Sequence, residues 1–424
     1  VVQPEWAPDG SLIFVSDRTD WWNLYRRPGA GELATDIALL PMEAEFGGPA
    51  WVFGQSAYAI FGDGRILASY SRNGDVHLLL LDPVTGAAQR VPTPYTQVDE
   101  VRAGDGYAVF LAGSPTEPTA LVRLELSTMD TTVLRRSAPP PEDPAYLSIA
   151  RPIEYPTGGG LSAYAFYYPP TNPDFVAPDG ELPPLLVLSH GGPTSATTST
   201  LRPIVQFWTS RGFAVVDVNY GGSTGYGRAY RQRLAGAWGV VDVDDCVNAA
   251  RFLVGEGLAD PRRLAIRGGS AGGYTTLCAL TFRDEFQAGA SYFGVGDAEA
   301  LARDTHKFES RYLDSLIGPY PRAADRYRER SPIHHTDKLS SALILFQGLD
   351  DKVVPPNQAE TMYAAVKERG LPVAYLAFEG EGHGFRQAAT IVRTAEAELA
   401  FYGAVFGFTP ADKIEPVPVE NLPG

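Results

Sequence analysis

Residues 268–272, Gly-Gly-Ser-Ala-Gly, have the composition of a turn that presents a reactive serine. The apolar run before them is typical of a strand, and a helical pattern follows them. A G-x-S-x-G turn between a strand and a helix forms a nucleophile elbow, which exposes the serine hydroxyl. Small flanking residues let the strand and the helix approach closely and leave room for a carbonyl group. Ser270 is therefore predicted to be the nucleophile of an acyl transfer. A purely structural glycine-rich turn is the alternative.

A serine hydroxyl needs a general base to remove its proton. In α/β hydrolases the base follows the nucleophile and an acidic residue along the chain, in the order Ser, Asp, His. Of the six histidines, only His383 lies far enough downstream of Ser270 to leave a strand and an acid between them. It lies in a glycine-flanked loop, where its ring could reach across. His383 is the predicted base, and a solvated loop histidine is the alternative.

The acid that orients the base is expected after the strand run 343–346, where two aspartates are adjacent. Asp351 is followed, after two residues, by Val354-Pro355, which matches the G-x-x-D-x-x-V-P layout. Asp351 is therefore predicted to hold the His383 tautomer and to stabilise the imidazolium that forms. Asp350 is expected to stabilise the turn and is the alternative acid.

The tetrahedral intermediate of an acyl transfer needs two hydrogen-bond donors. The amide after the nucleophile, that of Ala271, is the first. The loop Ser189-His190-Gly191-Gly192-Pro193 follows an earlier strand and offers the second from Gly191 or Gly192. His190 is expected to line this oxyanion hole, with a packed loop residue as the alternative.

These residues require a scaffold that brings strand ends together. From residue 148 to 408 apolar strand runs alternate with helical patterns, which predicts an α/β-hydrolase catalytic domain: a doubly wound, mostly parallel sheet covered by helices on both faces. The predicted strands are 185–188, 214–218, 264–266, 288–293, 343–346 and 373–378, and the predicted helices are 201–210, 241–255, 272–283, 357–369 and 386–404. Residues 409–424 are proline-rich and are expected to form a loosely ordered tail.

Residues 1–137 contain short β-like runs broken by Gly, Asp, Asn and Pro turns. The Trp6 and Trp51 motifs recur about 45 residues apart, a period that fits four-stranded propeller blades. The region is predicted to be the C-terminal blades of a β-propeller, and a β-sandwich is the alternative. Propellers close with about four blades or more, so three blades imply a missing propeller segment or a second copy. The proline-rich residues 138–147 are predicted to be an interdomain linker.

Composition narrows the function classes. The chain has 424 residues, 44% of them hydrophobic, which favours two folded domains. Its net charge of -15 argues against nucleic acid as a partner. It has two cysteines and no apolar run of the length that a membrane span needs. A cytoplasmic protein without disulfides or membrane contact is expected, and the absence of H-E-x-x-H and Walker patterns predicts no metal and no organic cofactor.

The motifs together resemble the prolyl oligopeptidase family of serine peptidases over nearly the whole chain. They are His-Gly-Gly-Pro at 190–193, Asn-Tyr-Gly-Gly-Ser-Thr-Gly-Tyr-Gly at 219–227, Trp-Gly-Val-Val-Asp at 238–242 and Gly-Gly-Ser-Ala-Gly-Gly at 268–273. The resemblance is closest to the branch of acylaminoacyl peptidases and related aminopeptidases. It implies a propeller with motifs like Trp6–Gly10 and Ser16–Arg18.

The resemblance also implies an apolar specificity pocket. It maps onto Val295, Phe308 and Tyr312, although aromatic residues at helical spacing are more often core. One departure concerns Gly221, which stands where the family's pattern has an arginine, so any contact of that guanidinium is absent. The missing blades would normally help to recognise the peptide terminus.

The expected function is a serine exopeptidase that hydrolyses short peptides or aminoacyl amides, as an aminopeptidase or an acylaminoacyl peptidase. The open alternatives are a carboxylesterase, a dipeptidyl peptidase, a prolyl oligopeptidase-like endopeptidase and a non-catalytic propeller scaffold. The oligomeric state is left open, and a homo-oligomer would cover the open propeller edges.

Overall fold

The computed structural model describes residues 1–29 and 35–422. Five residues of the predicted blade region, 30–34, and the end of the predicted tail, 423 and 424, lie outside the described residues. The chain forms two compact units, which do not divide it at a single point. The first unit comprises Val1–Arg151, Thr194–Gln206 and Ser223–Gln232, and the second comprises Pro152–Pro193, Phe207–Gly222 and Arg233–Gly424. Two segments from beyond the predicted linker thus belong to the first unit.

The described part of the first unit contains three sheets of four consecutive antiparallel strands, as propeller blades have. The strands are β1 (Val2–Trp6), β2 (Leu12–Ser16), β3 (Asn23–Arg27), β4 (Ile37–Ala38), β5 (Tyr58–Ile60), β6 (Ile66–Arg72), β7 (Asp75–Leu81), β8 (Ala88–Val91), β9 (Gln97–Ala103), β10 (Tyr107–Gly113), β11 (Ala120–Glu125) and β12 (Thr131–Arg136). Apolar side chains of the first sheet share a core with the second sheet, and those of the second share another core with the third. The predicted all-β region is confirmed.

The segment Ser223–Gln232 is held within the first unit by charged groups. Arg231 lies 2.6 Å from Asp17 and 3.1 Å from Glu45, and its guanidinium stacks over the Trp22 ring. Burial raises the pKa of Glu45, and Arg231 opposes that rise. Asp17, in the Ser16–Arg18 motif, therefore has a structural role: it binds the segment Ser223–Gln232 through Arg231.

The second unit contains, among its described residues, an eight-stranded sheet in the order β13-β14-β16-β15-β17-β18-β19-β20. Its strands are β13 (Arg151–Thr157), β14 (Leu161–Tyr168), β15 (Leu185–Ser189), β16 (Ala214–Asn219), β17 (Leu264–Gly269), β18 (Ala288–Tyr292), β19 (Ala342–Gly348) and β20 (Val373–Phe378). Strands β15 to β20 run parallel, while β14 is antiparallel to β16. The central strands read as continuous apolar runs because helices cover both faces of such a sheet. The α/β-hydrolase prediction is confirmed. Strands β13 and β14 were not anticipated.

The helices of the described residues are α1 (Pro203–Thr209), α2 (Gly227–Arg231), α3 (Val241–Gly255), α4 (Ala271–Phe282), α5 (Ala298–Asp304), α6 (Tyr312–Leu316), α7 (Ala324–Glu329), α8 (Asn357–Glu368) and α9 (Ala388–Phe406). The five predicted helices correspond to α1, α3, α4, α8 and α9, with ends that differ by up to two residues. The short helices α2, α5, α6 and α7 were missed because their few turns carry little periodic signal.

The C-terminal tail is more ordered than its composition suggests. The main chains of Val373 and Glu420 exchange two hydrogen bonds, so the tail pairs with the edge strand β20. Lys367 forms an ion pair with Glu420 at 2.8 Å. The expectation of a loosely ordered tail is therefore wrong for this stretch.

Among the described helices, none has the length and apolar character needed to cross a membrane.

Candidate active site

Ser270 lies in a sharp turn between β17 and α4. Its backbone has φ 56° and ψ −121°, a left-handed conformation that a residue with a side chain adopts only under strain. Its main-chain N–H donates to the Tyr292 carbonyl oxygen at 2.9 Å, and its carbonyl accepts from the Tyr274 N–H at 3.0 Å. These bonds hold the strained turn between two parallel strands and the first turn of the helix.

The glycines of the turn allow a very close backbone approach. A Cβ atom on Gly268 would lie 2.3 Å from the carbonyl carbon and oxygen of Gly272. A Cβ atom on Gly272 would lie 2.1 Å from the Ser189 carbonyl oxygen. No side chain fits at either position unless the backbone moves, so steric exclusion explains why both residues are glycine.

His383 follows β20, in the loop before α9. Its Nε2 lies 2.8 Å from the Ser270 Oγ, and its Nδ1 lies 2.8 Å from an Asp351 Oδ2. An ionised carboxylate can only accept hydrogen bonds, so Nδ1 carries the proton and Nε2 is left to accept from the serine hydroxyl. The structure thus brings together three residues that are far apart in sequence.

Asp351 is buried, and all of its oxygens are used. Its Oδ1 accepts the N–H groups of Val353 and Val354 at 2.8 and 2.9 Å, which directs Oδ2 to His383. Asp350 is exposed, and its main chain donates to the Glu381 carbonyl oxygen at 2.9 Å. Of the two adjacent aspartates, the structure places Asp351 against the imidazole.

The predicted oxyanion donors adjoin Ser270. Ala271 is the first residue of α4, so its N–H has no acceptor within the helix and lies at the positive end of the helix dipole. A Cβ atom on Gly191 would lie 3.2 Å from the Gly269 carbonyl oxygen and 3.6 Å from the Ser270 Cβ. Gly192 follows with φ 121° and a cis bond to Pro193.

His190 is held by its neighbours. Its Nδ1 lies 2.8 Å from the Gly191 carbonyl oxygen, and its ring stacks on the Tyr220 ring with centroids 4.2 Å apart. The Tyr220 hydroxyl donates to the His190 carbonyl oxygen at 3.0 Å. These contacts favour a structural role for His190, which is to hold the conformation of the loop 189–193. Burial raises the pKa of Tyr220 well above its usual range, so this hydroxyl stays protonated.

The three predicted pocket residues are not equivalent. Val295 is buried in the main core of the second unit, and Tyr312, at the start of α6, packs against that core while partly exposed. Phe308 lies in the preceding loop, 61% exposed, and stacks loosely on His306. The structure associates Val295 and Tyr312 with one core and leaves Phe308 outside it.

Gly221 occupies a tightly packed position. Its N–H donates to Asp245 at 2.6 Å, and a Cβ atom there would lie 2.8 Å from a Val241 methyl group. A longer side chain could not be added without moving α3. The local packing therefore suits a glycine at this position, where the family's pattern has an arginine.

Sequence reasoning missed a buried ion pair behind the nucleophile. Arg267, on β17, lies 2.9 Å from Glu398, on α9, and stacks over the Tyr292 ring. The hydroxyls of Tyr292 and Tyr402 donate to the Glu398 carboxylate at 2.6 and 2.9 Å. Burial raises the pKa of Glu398, opposed chiefly by Arg267. A lone Arg in an apolar strand and a Glu in an amphipathic helix were the available signals.

Phe293 was also missed. It follows β18, and its ring centroid lies 4.9 Å from that of the His383 ring, at 64°. Its sequence context, an aromatic residue at a strand end, gives no sign of this contact.

Comparison with known proteins relates the chain to one peptidase family. Residues 199–409 match the prolyl oligopeptidase family. A dipeptidyl aminopeptidase BIII of Pseudoxanthomonas mexicana is 32% identical over 208 residues, which cover 48% of this chain and 30% of that protein. An acylamino-acid-releasing enzyme of Arabidopsis thaliana is 32% identical over 213 residues, 48% of this chain and 28% of that protein.

Among solved structures, a puromycin-hydrolysing peptidase of Mycobacterium tuberculosis is 47% identical and superposes with a TM-score of 0.95. That match covers 99% of this chain and 63% of the peptidase. The chain thus spans less than a third of the curated relatives and less than two thirds of the solved one. The resemblance found from the motifs is confirmed: the chain carries a domain of the prolyl oligopeptidase family.

Proposed function

We propose that this protein is a serine exopeptidase that hydrolyses short peptides or aminoacyl amides through an acyl-enzyme. The observation that carries the proposal is the pair of hydrogen-bond distances, both 2.8 Å, that link Ser270 to His383 and His383 to Asp351. A serine joined to a base, which is joined to a buried orienting acid, is the arrangement that activates a hydroxyl for attack on a carbonyl.

In the proposed first half-reaction the Ser270 Oγ attacks the carbonyl carbon while His383 Nε2 takes the hydroxyl proton. The negative charge on the former carbonyl oxygen is met by the Ala271 N–H and an N–H of Gly191 or Gly192. His383 then gives its proton to the leaving nitrogen, and the C–N bond breaks. Asp351 stabilises the transient imidazolium without taking the proton itself.

In the second half-reaction water attacks the ester carbonyl of the acyl-enzyme. His383 takes a proton from the water and returns one to Ser270 as the C–O bond breaks. The products are a free carboxylate and the regenerated serine. Every proton is accounted for by His383, so this route needs no metal or organic cofactor.

The side chain next to the scissile bond is proposed to occupy an apolar pocket formed by Val295 and Tyr312. Contact with such a surface and the exclusion of water provide affinity for apolar residues. Phe308 is proposed to contribute from its loop, where its ring is exposed.

Free or blocked aminoacyl groups are the proposed substrate class. Support comes from the names of the relatives, which include a puromycin-hydrolysing peptidase, a dipeptidyl aminopeptidase and an acylamino-acid-releasing enzyme. The first of these is 47% identical to this chain. Puromycin, which holds an aminoacyl group through an amide bond, is therefore a suitable probe beside simple anilides.

Two further proposals concern the surroundings of the enzyme. Additional blades or a second copy of the chain are proposed to cover the outer faces of the three blade sheets, because about four blades are needed for closure. A cytoplasmic location is proposed on the support of Cys246 and Cys278, which are free and buried.

The test is hydrolysis of matched apolar aminoacyl, N-acyl-aminoacyl and dipeptidyl anilides, of puromycin and of the corresponding ester. The Ser270→Ala protein is the negative control, and Ser127→Ala, at an exposed serine of the first unit, is the matched control. Amide turnover that disappears only in Ser270→Ala supports the proposal. Ester turnover without amide turnover would replace it with a carboxylesterase, and absence of any Ser270-dependent turnover would refute it.

A further inference from the structure

Phe293 holds an unusual backbone conformation next to the triad. It follows β18 with φ 39°, a value that bulky side chains rarely adopt. Its N–H donates to the Phe346 carbonyl oxygen at 2.7 Å, which ties it to the end of β19. Strain of this kind persists only where the surroundings enforce it, and it is concentrated at functional sites.

The Phe293 ring lies between the His383 imidazole and the turn that carries Ser270. One side of the contact is the His383 ring, whose centroid lies 4.9 Å away at an interplanar angle of 64°. On the other, a Cβ atom on Gly269 would lie 3.0 Å from a Phe293 ring carbon. Gly269 directly precedes Ser270, so one aromatic ring contacts both the turn that carries the nucleophile and the imidazole of the base.

A second aromatic ring supports the first. Phe385, two residues after His383, meets Phe293 edge-on with centroids 5.4 Å apart, and Phe378 packs on Phe385 at 5.2 Å. The order of contact is therefore Phe378, Phe385, Phe293 and His383. Packing against rings restricts side-chain rotation because each contact removes rotamers that would collide.

We infer that Phe293 is a positioning residue for His383, an inference that rests on the proposed function of the triad. The His383 side chain is 22% exposed, so water can compete for its hydrogen bonds. The Phe293 ring limits rotation of the imidazole and covers one flank of the triad. It thereby raises the fraction of molecules in which Nε2 points at the Ser270 hydroxyl. Alignment matters when the proton moves, so the effect belongs to kcat rather than to substrate binding.

The kinetic test compares Phe293→Leu, which keeps apolar bulk but removes the ring, with Phe293→Tyr, which keeps the ring. Phe408→Leu is the matched control because it removes a ring of the second unit that packs on Phe213, outside this series of contacts. We expect Phe293→Leu to lower kcat about tenfold or more, a part of what a general base contributes, with KM changed less than about twofold. Phe293→Tyr should keep most of kcat, and Phe408→Leu should stay near the wild-type value.

A spectroscopic test needs no substrate and so separates this inference from the proposed function. The proton on His383 Nδ1 gives a downfield NMR signal when its hydrogen bond to Asp351 is ordered and protected from exchange with water. Loss of the signal in His383→Gln assigns it to this proton. We expect the signal to broaden or disappear in Phe293→Leu and to persist in Phe293→Tyr and Phe408→Leu. An unchanged signal in Phe293→Leu, or an unchanged kcat where the wild-type chain is active, would overturn the inference. Inactivity of the wild-type chain with a Phe293-dependent signal would count against the proposed function alone.

Discussion

Gly191 lies so close to Ser270 that a Cβ atom added to it would be 3.6 Å from the Cβ of the serine. The same atom would be 3.2 Å from the Gly269 carbonyl oxygen, closer than most real contacts of a Cβ atom. The loop after β15 therefore reaches the nucleophile through a residue without a side chain. The proposed role of a main-chain N–H of this loop as an oxyanion donor requires such proximity.

Gly191→Ala should shift this loop away from Ser270 and weaken the proposed oxyanion hole. Loss of one oxyanion donor typically lowers kcat by about 10²–10³, and we expect a fall in that range with little change in the thermal midpoint. Gly255→Ala is the control, since a Cβ atom at Gly255 meets nothing within 4 Å. An active Gly191→Ala enzyme would argue that the second donor lies elsewhere.

Asp351→Asn should remove the charge that orients His383 while leaving the shape of the site intact. An amide at this position favours the wrong imidazole tautomer, and kcat is expected to fall about 10⁴-fold. Asp350→Asn, one residue earlier and exposed, should leave kcat nearly unchanged. Steady-state kinetics on one anilide decides the assignment, and the opposite ranking of the two variants would transfer the role to Asp350.

Tyr312→Ala should weaken binding of substrates with apolar side chains, because the phenol ring packs against the core that contains buried Val295 and is part of the proposed pocket. We expect kcat/KM to fall about tenfold or more for a leucyl anilide, the scale of one lost apolar contact, and much less for an alanyl anilide. Phe308→Ala tests the exposed ring separately. Equal losses for both substrates would show that Tyr312 supports the fold and does not select the side chain.

Asp242 should make the stability of the second unit depend on pH. Burial raises the pKa of Asp242 to about 6 from an ordinary 3.8, although its oxygens accept the Gly239 N–H at 2.7 Å and the Thr275 hydroxyl at 2.6 Å. The folded state thus holds this proton more tightly than the unfolded state. The stability that protonation contributes is present below pH ~4 and is lost as pH rises through ~6, a total of about 3 kcal/mol.

Asp242→Asn removes this dependence without removing the hydrogen bonds. The amide oxygen can still accept from Gly239, and the amide N–H can donate to Thr275, whose hydroxyl then donates to the Ala271 carbonyl oxygen at its present 3.1 Å. Urea unfolding at pH 4.5 and 7.5 measures the effect. The variant should gain stability relative to wild type at the higher pH. An equal difference at both pH values would mean that Asp242 ionises normally. Asp244→Asn, on the same helix but partly exposed, controls for the loss of a charge.

Glu398→Ala should destabilise the second unit strongly. The substitution leaves the Arg267 guanidinium buried without its carboxylate and takes the acceptor from two tyrosine hydroxyls. Removing one member of a buried ion pair costs about 3–5 kcal/mol. Glu396→Ala, two residues earlier on α9, is the control, and thermal unfolding of both proteins provides the measurement. A midpoint equal to that of the control would show that Arg267 finds another partner.

The close approach of Ser270, Asp351 and His383 could be predicted from the sequence. The strand, the glycine-rich turn and the helix around Ser270 are neighbours in the chain, and their pattern records the close packing that Gly268 and Gly272 permit. The strands and helices with long periodic runs were likewise predictable, since the spacing of their apolar residues indicates which face of the element is buried. The chain order Ser, Asp, His was enough to select His383 from six histidines.

Contacts between distant segments were decided by the tertiary structure. Asp351 differs from Asp350 because main-chain N–H groups of Val353 and Val354 direct its second oxygen towards His383. Phe293 meets His383 because the strands that precede them, β18 and β20, both lie next to β19 in the sheet. Phe308 is exposed in the segment between the short helices α5 and α6, which carry little periodic signal. Local patterns describe what each segment buries, whereas these contacts depend on which buried faces and strand ends the sheet brings side by side.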